Sequence, residues 1–207
     1  MRRASKTGLA LGAAWLALRA YAALRPTAFP YFLRPILELP RPLISRRRVL
    51  DVLAPVPGER ILEVGPGTGY YTVAVAERLG PDGRLDVLEI RPPYLEHTLA
   101  RARRRGLANV AGALGDGAAL PYPDDAFDAA FLVGVLGEIA DPPAALRELR
   151  RVVKPSGRVV VAEMFPDPDF PRLGWLLARA REAGLELDRR TGIPIGYVAG
   201  FRAAPRM

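Results

Sequence analysis

Three carboxylates and a run of alternate glycines are the residues of this chain whose types and spacing could do chemistry. The run reads Glu63-Val64-Gly65-Pro66-Gly67-Thr68-Gly69. Glycine at every second position lets backbone come close to a ligand, with no Cβ in the way and with φ > 0 allowed. Glu63 stands just before the turn, where a carboxylate favours an ammonium group and repels a pyrophosphate. Glu89 follows Gly69 by 20 residues, a spacing at which an acid accepts hydrogen bonds from ribose hydroxyls. Asp116, in Gly115-Asp116-Gly117, is placed to accept from an adenine amino group. The set therefore reads as a nucleoside site with a preference for positive charge at one end.

Glycine spacing separates two kinds of nucleotide site. A dinucleotide fingerprint has its third glycine three residues after the second, beside a pyrophosphate at a helix N-terminus. Here the glycines are Gly65, Gly67 and Gly69, and position 70 is tyrosine. This favours a cation that bears an amino acid over a dinucleotide. A nicotinamide-dependent oxidoreductase stays as an alternative, as does a non-catalytic protein that binds the same ligand.

These residues need elements to position them. From residue 60 the chain alternates short apolar runs with longer helical ones. Residues 60–64, 84–90, 110–114, 127–133 and 158–164 read as strands. Residues 70–79, 93–105, 143–153 and 171–183 read as helices. Near-continuous apolar strands separated by helices predict an α/β fold: a Rossmann-like, doubly wound, mostly parallel sheet. Pro155-Ser156-Gly157 reads as a turn before the fifth strand. Residues 185–190 and 197–203 are two further strands. Their connection is too short for a helix, so they should pair antiparallel. Ser45 is an expected N-cap for a helix running to about residue 53.

Composition removes several chemistries. The 207 residues include no cysteine and one histidine, His97. This excludes disulfides, thiolate chemistry and a multi-histidine metal site, and no metal is expected. His97 falls on the helix after the second strand, away from the strand ends where open sheets bind ligands. The net charge of +8 belongs to residues 1–60, which carry eleven basic and three acidic residues; the remainder is neutral. A neutral domain without a basic face predicts no nucleic-acid partner.

With these stretches in hand, the chain resembles the class I S-adenosylmethionine-dependent methyltransferases. It is most similar to the branch that includes the ubiquinone/menaquinone-biosynthesis methyltransferases. The resemblance rests on residues 63–69, Glu89, Gly115-Asp116-Gly117 with Leu120-Pro121, and residues 146–157. It covers about residues 58–164. It implies S-adenosyl-L-methionine as cofactor, with Gly65, Gly67 and Gly69 at the methionine portion, Glu89 at the ribose, and Asp116 with Gly117 at adenine. Glu63 would act directly or by orienting the loop. Many relatives carry a histidine where this chain has Val135-Leu136-Gly137-Glu138-Ile139. No catalytic base is therefore assigned, and Glu138 is the nearest polar candidate. Glu163 and Asp167 lie at a strand end or the loop after it.

The first 45 residues stand outside the resemblance; residues 1–44 form an expected extension and residues 45–207 the methyltransferase domain. Residues 8–24 are apolar except for Arg19, with Arg2, Arg3 and Lys6 before them and Arg25, Arg34, Arg41 and Arg46–Arg48 after. Seventeen helical residues reach only ~25 Å, short of the ~20 residues a span requires. Positive charge on both flanks fits a helix at an anionic cytoplasmic surface better than a single span. A helix packed on protein and a cleaved signal segment are the other readings. Pro26, Pro30, Pro35, Pro40 and Pro42 make the next stretch a linker or irregular lid. The expectation is a cytoplasmic enzyme held at the inner face of the membrane, acting on a small lipid-like acceptor.

Overall fold

A computed structural model describes residue 38 and residues 41–203. The apolar stretch 8–24 and the proline-rich connection up to residue 40, apart from Glu38, lie outside the described residues.

A short 3-10 turn, Pro42–Ile44, leads into α1 (Arg46–Leu53). Then follow β1 (Arg60–Val64), α2 (Thr72–Leu79), β2 (Arg84–Glu89), α3 (Pro92–Arg104), β3 (Val110–Leu114) and β4 (Phe127–Val133). The second half holds α4 (Pro142–Val152), β5 (Val153–Met164), α5 (Leu173–Glu182), β6 (Leu185–Ile193) and β7 (Gly196–Ala203). The seven strands form one sheet in the order β3-β2-β1-β4-β5-β7-β6. β7 alone runs against the rest: it pairs antiparallel with both β5 and β6. The expected doubly wound sheet with an antiparallel last strand is what the chain forms.

Side-chain alternation along the strands builds the two faces. Ile61, Val87, Phe131, Val160 and Val198 share one cluster with Val49 and Leu53 of α1 and Val75 and Leu79 of α2. Leu62, Leu88, Leu132, Val161 and Phe201 share the other with Leu146 and Leu149 of α4 and Leu176 of α5. Burial of both faces explains why the central strands carry no polar alternation. The outer strand β6 is different: Glu186, Asp188, Arg189 and Arg190 are exposed along it, and charge there discourages pairing with another sheet.

Helix ends are closed by side chains. The Ser45 hydroxyl accepts from Arg48 N at the start of α1, and Asp141 accepts from Ala144 N at the start of α4. The Arg158 guanidinium closes α1 at its other end. It donates to the carbonyls of Leu53 and Ala54 and forms a two-pronged pair with Glu59 at 2.8 and 2.6 Å. Last-turn carbonyls favour a cation in this place.

One expected feature is corrected. Pro155-Ser156-Gly157 is not a turn ahead of the fifth strand but lies inside β5. Phe127 pairs with Val153 and Ala129 with Arg158, so the chain bulges between them and then resumes pairing. A bulge absorbs the proline, which has no N–H for the ladder.

Candidate functional site

Strand order reverses between β1 and β4: β1 continues through β2 to β3, and β4 continues through β5. Connections leave such a pair on opposite faces of the sheet and open a crevice at their C-terminal ends. A cavity of about 310 Å³ lies there.

Its floor is the glycine loop. Gly65, Gly67 and Gly69 have φ of 67°, 56° and 73°, a region costly for other residues. A Cβ on Gly65 would also come within 2.6 Å of the Val135 side chain. The loop is tied to its surroundings by hydrogen bonds. Gly65 N donates to Leu88 O, and the Thr98 hydroxyl and Arg101 guanidinium of α3 donate to the carbonyls of Gly67 and Thr68. Those carbonyls are thereby occupied from the α3 side.

Three carboxylates stand over this floor. Glu63, next to last in β1, is only 2 % exposed, and the Thr72 hydroxyl donates to its Oε2 at 2.6 Å. Burial, partly offset by that bond and increased by nearby Glu89, pushes the Glu63 pKa up to about 8. Glu89 ends β2. Its Oε1 accepts from the N–H groups of Ile90 and Arg91. Burial raises its pKa as well, against the pull of those backbone donors. Asp116 is exposed after β3; its Oδ1 accepts from Ala118 N, which fixes the turn.

The structure brings Glu63, Gly65, Gly67, Glu89, Asp116 and Gly117 to the wall of one cavity, and Glu138 with them. Gly69 is not on that wall. It closes the turn by donating to Pro66 O, and a Cβ there would press on Thr98 at 3.2 Å. His97 is half-buried on α3 and also off the wall.

The acids at the end of β5 serve a different purpose. Glu163 is 1 % exposed, and its Oε1 accepts from Val135 N and Leu136 N. It holds the loop after β4 that carries Glu138. Burial, with Asp167 and Glu138 close by, raises its pKa well above the usual carboxylate range. Asp167 accepts from Asp169 N in the next loop. Neither lines the cavity. Among the described residues no group of three or more potential ligands could hold a metal ion, and no helix is long and apolar enough to cross a membrane.

Several wall residues carry no signal in the sequence. Val135, Ile139 and Ala140 make an apolar side after β4, Tyr94 comes from α3, and Arg41 enters from ahead of α1. Exposed Ile90, beside Glu89, could have been noticed: it is an apolar residue at a strand end where solvent is expected.

The buried Glu63 carboxylate is a test of what the cavity suits. The Thr72 hydroxyl that donates to it is neutral, and the charge that acts on it is another carboxylate, Glu89. A buried acid so placed is relieved by a cation. With Glu89 and Asp116 as acceptors for hydroxyl and amino hydrogens, the three carboxylates fit a cationic adenosine bearing an amino acid.

Residues 34–174 match the model of the family described as "ubiE/COQ5 methyltransferase family". Among curated proteins the chain is 35% identical over 135 residues to nocamycin O-methyltransferase of Saccharothrix syringae, which covers 65% of this chain and 48% of that one. It is 38% identical over 123 residues to a demethylmenaquinone methyltransferase of Thermus thermophilus, covering 59% and 55%. It is 33% identical over 150 residues to a ubiquinone/menaquinone biosynthesis C-methyltransferase of a Ruegeria species, covering 65% and 60%. The chain thus spans about half the length of the curated relatives it matches. A SAM-dependent methyltransferase from Aquifex aeolicus shares the fold with a TM-score of 0.77 at 20% identity, covering 85% of this chain and all of that one. The [4+2]-cyclase SpnF shares it at a TM-score of 0.70 and 24% identity, over 77% and 79%.

Proposed function

The chain belongs to the ubiE/COQ5 methyltransferase family, and from this we propose that it transfers the methyl group of S-adenosyl-L-methionine to a small lipophilic acceptor at a membrane surface. The observation that carries the reading is the convergence of Glu63, Glu89 and Asp116 from three separate strand ends onto one cavity floored by Gly65 and Gly67. Glu63 would hold the ammonium end, Glu89 the ribose hydroxyls, and Asp116 with the Gly117 backbone the adenine. When bound, the cofactor supplies an activated methyl group on a sulfonium. The protein's main contribution is then to hold the acceptor in line and to keep water out.

The acceptor we propose is an aromatic ring bearing a hydroxyl and an apolar tail, of the kind named in the demethylmenaquinone and ubiquinone/menaquinone relatives. Val135, Ile139 and Ala140 offer an apolar wall for a ring, and Glu138 is the acid beside them. In this reading Glu138 takes the hydroxyl proton that makes the ring nucleophilic. Membrane contact draws support from a second place. Phe165, Ile193 and Ile195 are about half exposed, and Phe165 N donates to Ile195 O at 2.9 Å, so they form one apolar tip past the C-terminal end of β5. The basic, apolar residues 1–44 add to that support.

A second reading, methylation at oxygen, is favoured by the nocamycin O-methyltransferase relative. One experiment addresses both. The protein is incubated with methyl-tritiated S-adenosylmethionine and membrane quinol or lipid extracts, and labelled products are analysed by mass spectrometry and NMR. A ring-carbon methyl supports the first reading and a methoxy group the second. No binding of S-adenosylmethionine or S-adenosylhomocysteine by calorimetry would remove both, and NAD(H) binding instead would favour an oxidoreductase.

A further inference from the structure

The cavity has one basic residue whose position neither the glycine loop nor the strand ends explain. Acidic Glu63, Glu89, Asp116 and Glu138 line it; among the described residues the cationic side chains on its wall are Arg41 and Arg91. Arg91 stands two residues after Glu89, to which its N–H donates, and belongs to the ribose end. Arg41 comes from the segment ahead of α1. Its guanidinium carbon lies 5.2 Å from the ring centroids of both Tyr70 and Tyr71, the residues that follow the glycine loop. Arg41 and Glu63 both act electrostatically on the Tyr71 hydroxyl, in opposite senses. Glu63, Tyr70, Tyr71 and Arg41 all line this cavity, with Arg41 against both rings.

Arg41 is held there by a strap latched at several points. Its carbonyl accepts from Ile44 N, and the Ile44 carbonyl accepts from the buried Tyr71 hydroxyl at 2.6 Å. Arg46 stands over the Tyr70 ring at 3.9 Å. Farther out, Glu38 pairs with Arg101 at 2.5 Å, and the same guanidinium donates to Thr68 O in the glycine loop. The strap and the loop thus share partners.

An amino-acid end of a ligand presents an ammonium and a carboxylate. Glu63 answers the first. We propose that Arg41 answers the second: it binds the α-carboxylate of the cofactor, and residues 41–46 are part of the cofactor site. This rests on the reading of the cavity as an S-adenosylmethionine site. The planar guanidinium fork matches a carboxylate with two parallel hydrogen bonds, which a lysine cannot reproduce.

The test uses two ligands that differ only in this group: S-adenosylmethionine and its decarboxylated form, which keeps adenosine, sulfonium and ammonium. Calorimetry compares the full chain with Arg41→Met, whose apolar stem still packs on the tyrosines. The wild-type protein should bind the intact ligand at least about 10-fold more tightly than the decarboxylated one. Arg41→Met should weaken the intact ligand by about 10- to 100-fold, the range for a hydrogen bond between charged groups, and should leave the decarboxylated ligand unchanged or slightly tighter. Equal weakening of both ligands would reduce Arg41 to a packing residue and overturn the proposal while leaving the cofactor reading intact. So would no weakening of either. Failure of the wild-type protein to bind either ligand would overturn the cofactor reading and this proposal together.

Discussion

The Thr72 hydroxyl donates a 2.6 Å hydrogen bond to the Glu63 carboxylate, and neither residue is more than 2 % exposed. β1 delivers the acid and the first residue of α2 delivers its donor, so the bond spans the glycine loop that separates them. Thr72→Val keeps the shape and removes the donor. It should destabilise the fold by about 1–3 kcal/mol, the cost of leaving a buried acceptor unsatisfied, and should weaken cofactor binding. Urea unfolding with and without S-adenosylhomocysteine measures both.

Glu63 also predicts a proton signature. Its pKa in the folded chain is pushed up to about 8 by burial, above its value in an unfolded chain. Folding therefore favours the protonated acid, and stability attributable to Glu63 falls as pH rises from the ordinary carboxylate range towards 8. A cationic ligand favours the ionised form and should release a proton on binding near pH 7. Calorimetry in buffers of different ionisation enthalpy should show that release in the wild-type chain and lose it in Glu63→Gln. Proton uptake would contradict the placement of a cation at Glu63.

The glycine loop should tolerate little. Gly65 has positive φ, and an added Cβ would lie 2.6 Å from Val135. Gly65→Ala combines backbone strain of about 1–3 kcal/mol with displacement of the wall. A Cβ on Gly117 would lie 2.8 Å from Ile139 and 3.1 Å from Val64. Both substitutions should cut cofactor affinity at least about 10-fold, a change worth about 1.4 kcal/mol. Gly58→Ala, with open space around it, serves as the control for a strained glycine remote from the site. Equal affinity in all three proteins would exclude the loop from binding.

Arg158 joins three parts of the chain: the carbonyl end of α1, Glu59 before β1, and β5 itself. Those hydrogen bonds hold Glu59 below the usual carboxylate range despite its partial burial. Arg158→Met should destabilise by about 2–4 kcal/mol, since it strands a partly buried acid and two carbonyls. The loss should shrink in acid, where Glu59 protonates. Denaturant midpoints at pH 7 and pH 4 provide the measurement.

Phe165→Ser with Ile195→Ser should lower partitioning onto anionic vesicles without changing calorimetric cofactor affinity, because neither residue lines the cavity. Unchanged flotation would remove this tip from the membrane-facing surface.

What could be read from the sequence was what local chemistry determines. β1, β3 and β4 begin and end where the apolar runs do, because turns bound them on both sides. α2 starts at Thr72, two residues later than the helical pattern, because Gly69, Tyr70 and Tyr71 still belong to the turn. The Pro-Ser-Gly segment resembled a turn because its residues are those of a turn; only the partner strand, through Phe127 and Ala129, makes it a bulge. The site divides in the same way. Glu63, Gly65, Gly67, Glu89 and Asp116 follow their strands at readable distances. Arg41 stands 24 residues before Gly65 and reaches the cavity only through packing on Tyr70 and Tyr71. Gly69 shares the spacing of its neighbours but faces Thr98.

The seam between β1 and β4 joins residues 61–64 to residues 129–132, with two helices and two strands between them. Pairing so distant in sequence is slow, because the intervening chain must be closed into a loop first. The cavity sits on that seam, so its two walls meet only when the two ends of this loop have found each other. A molecule bound there is consequently a clamp on a finished structure. It is expected to lengthen the lifetime of the native state and leave the refolding rate unchanged, a contrast that stopped-flow refolding and unfolding with S-adenosylhomocysteine would reveal.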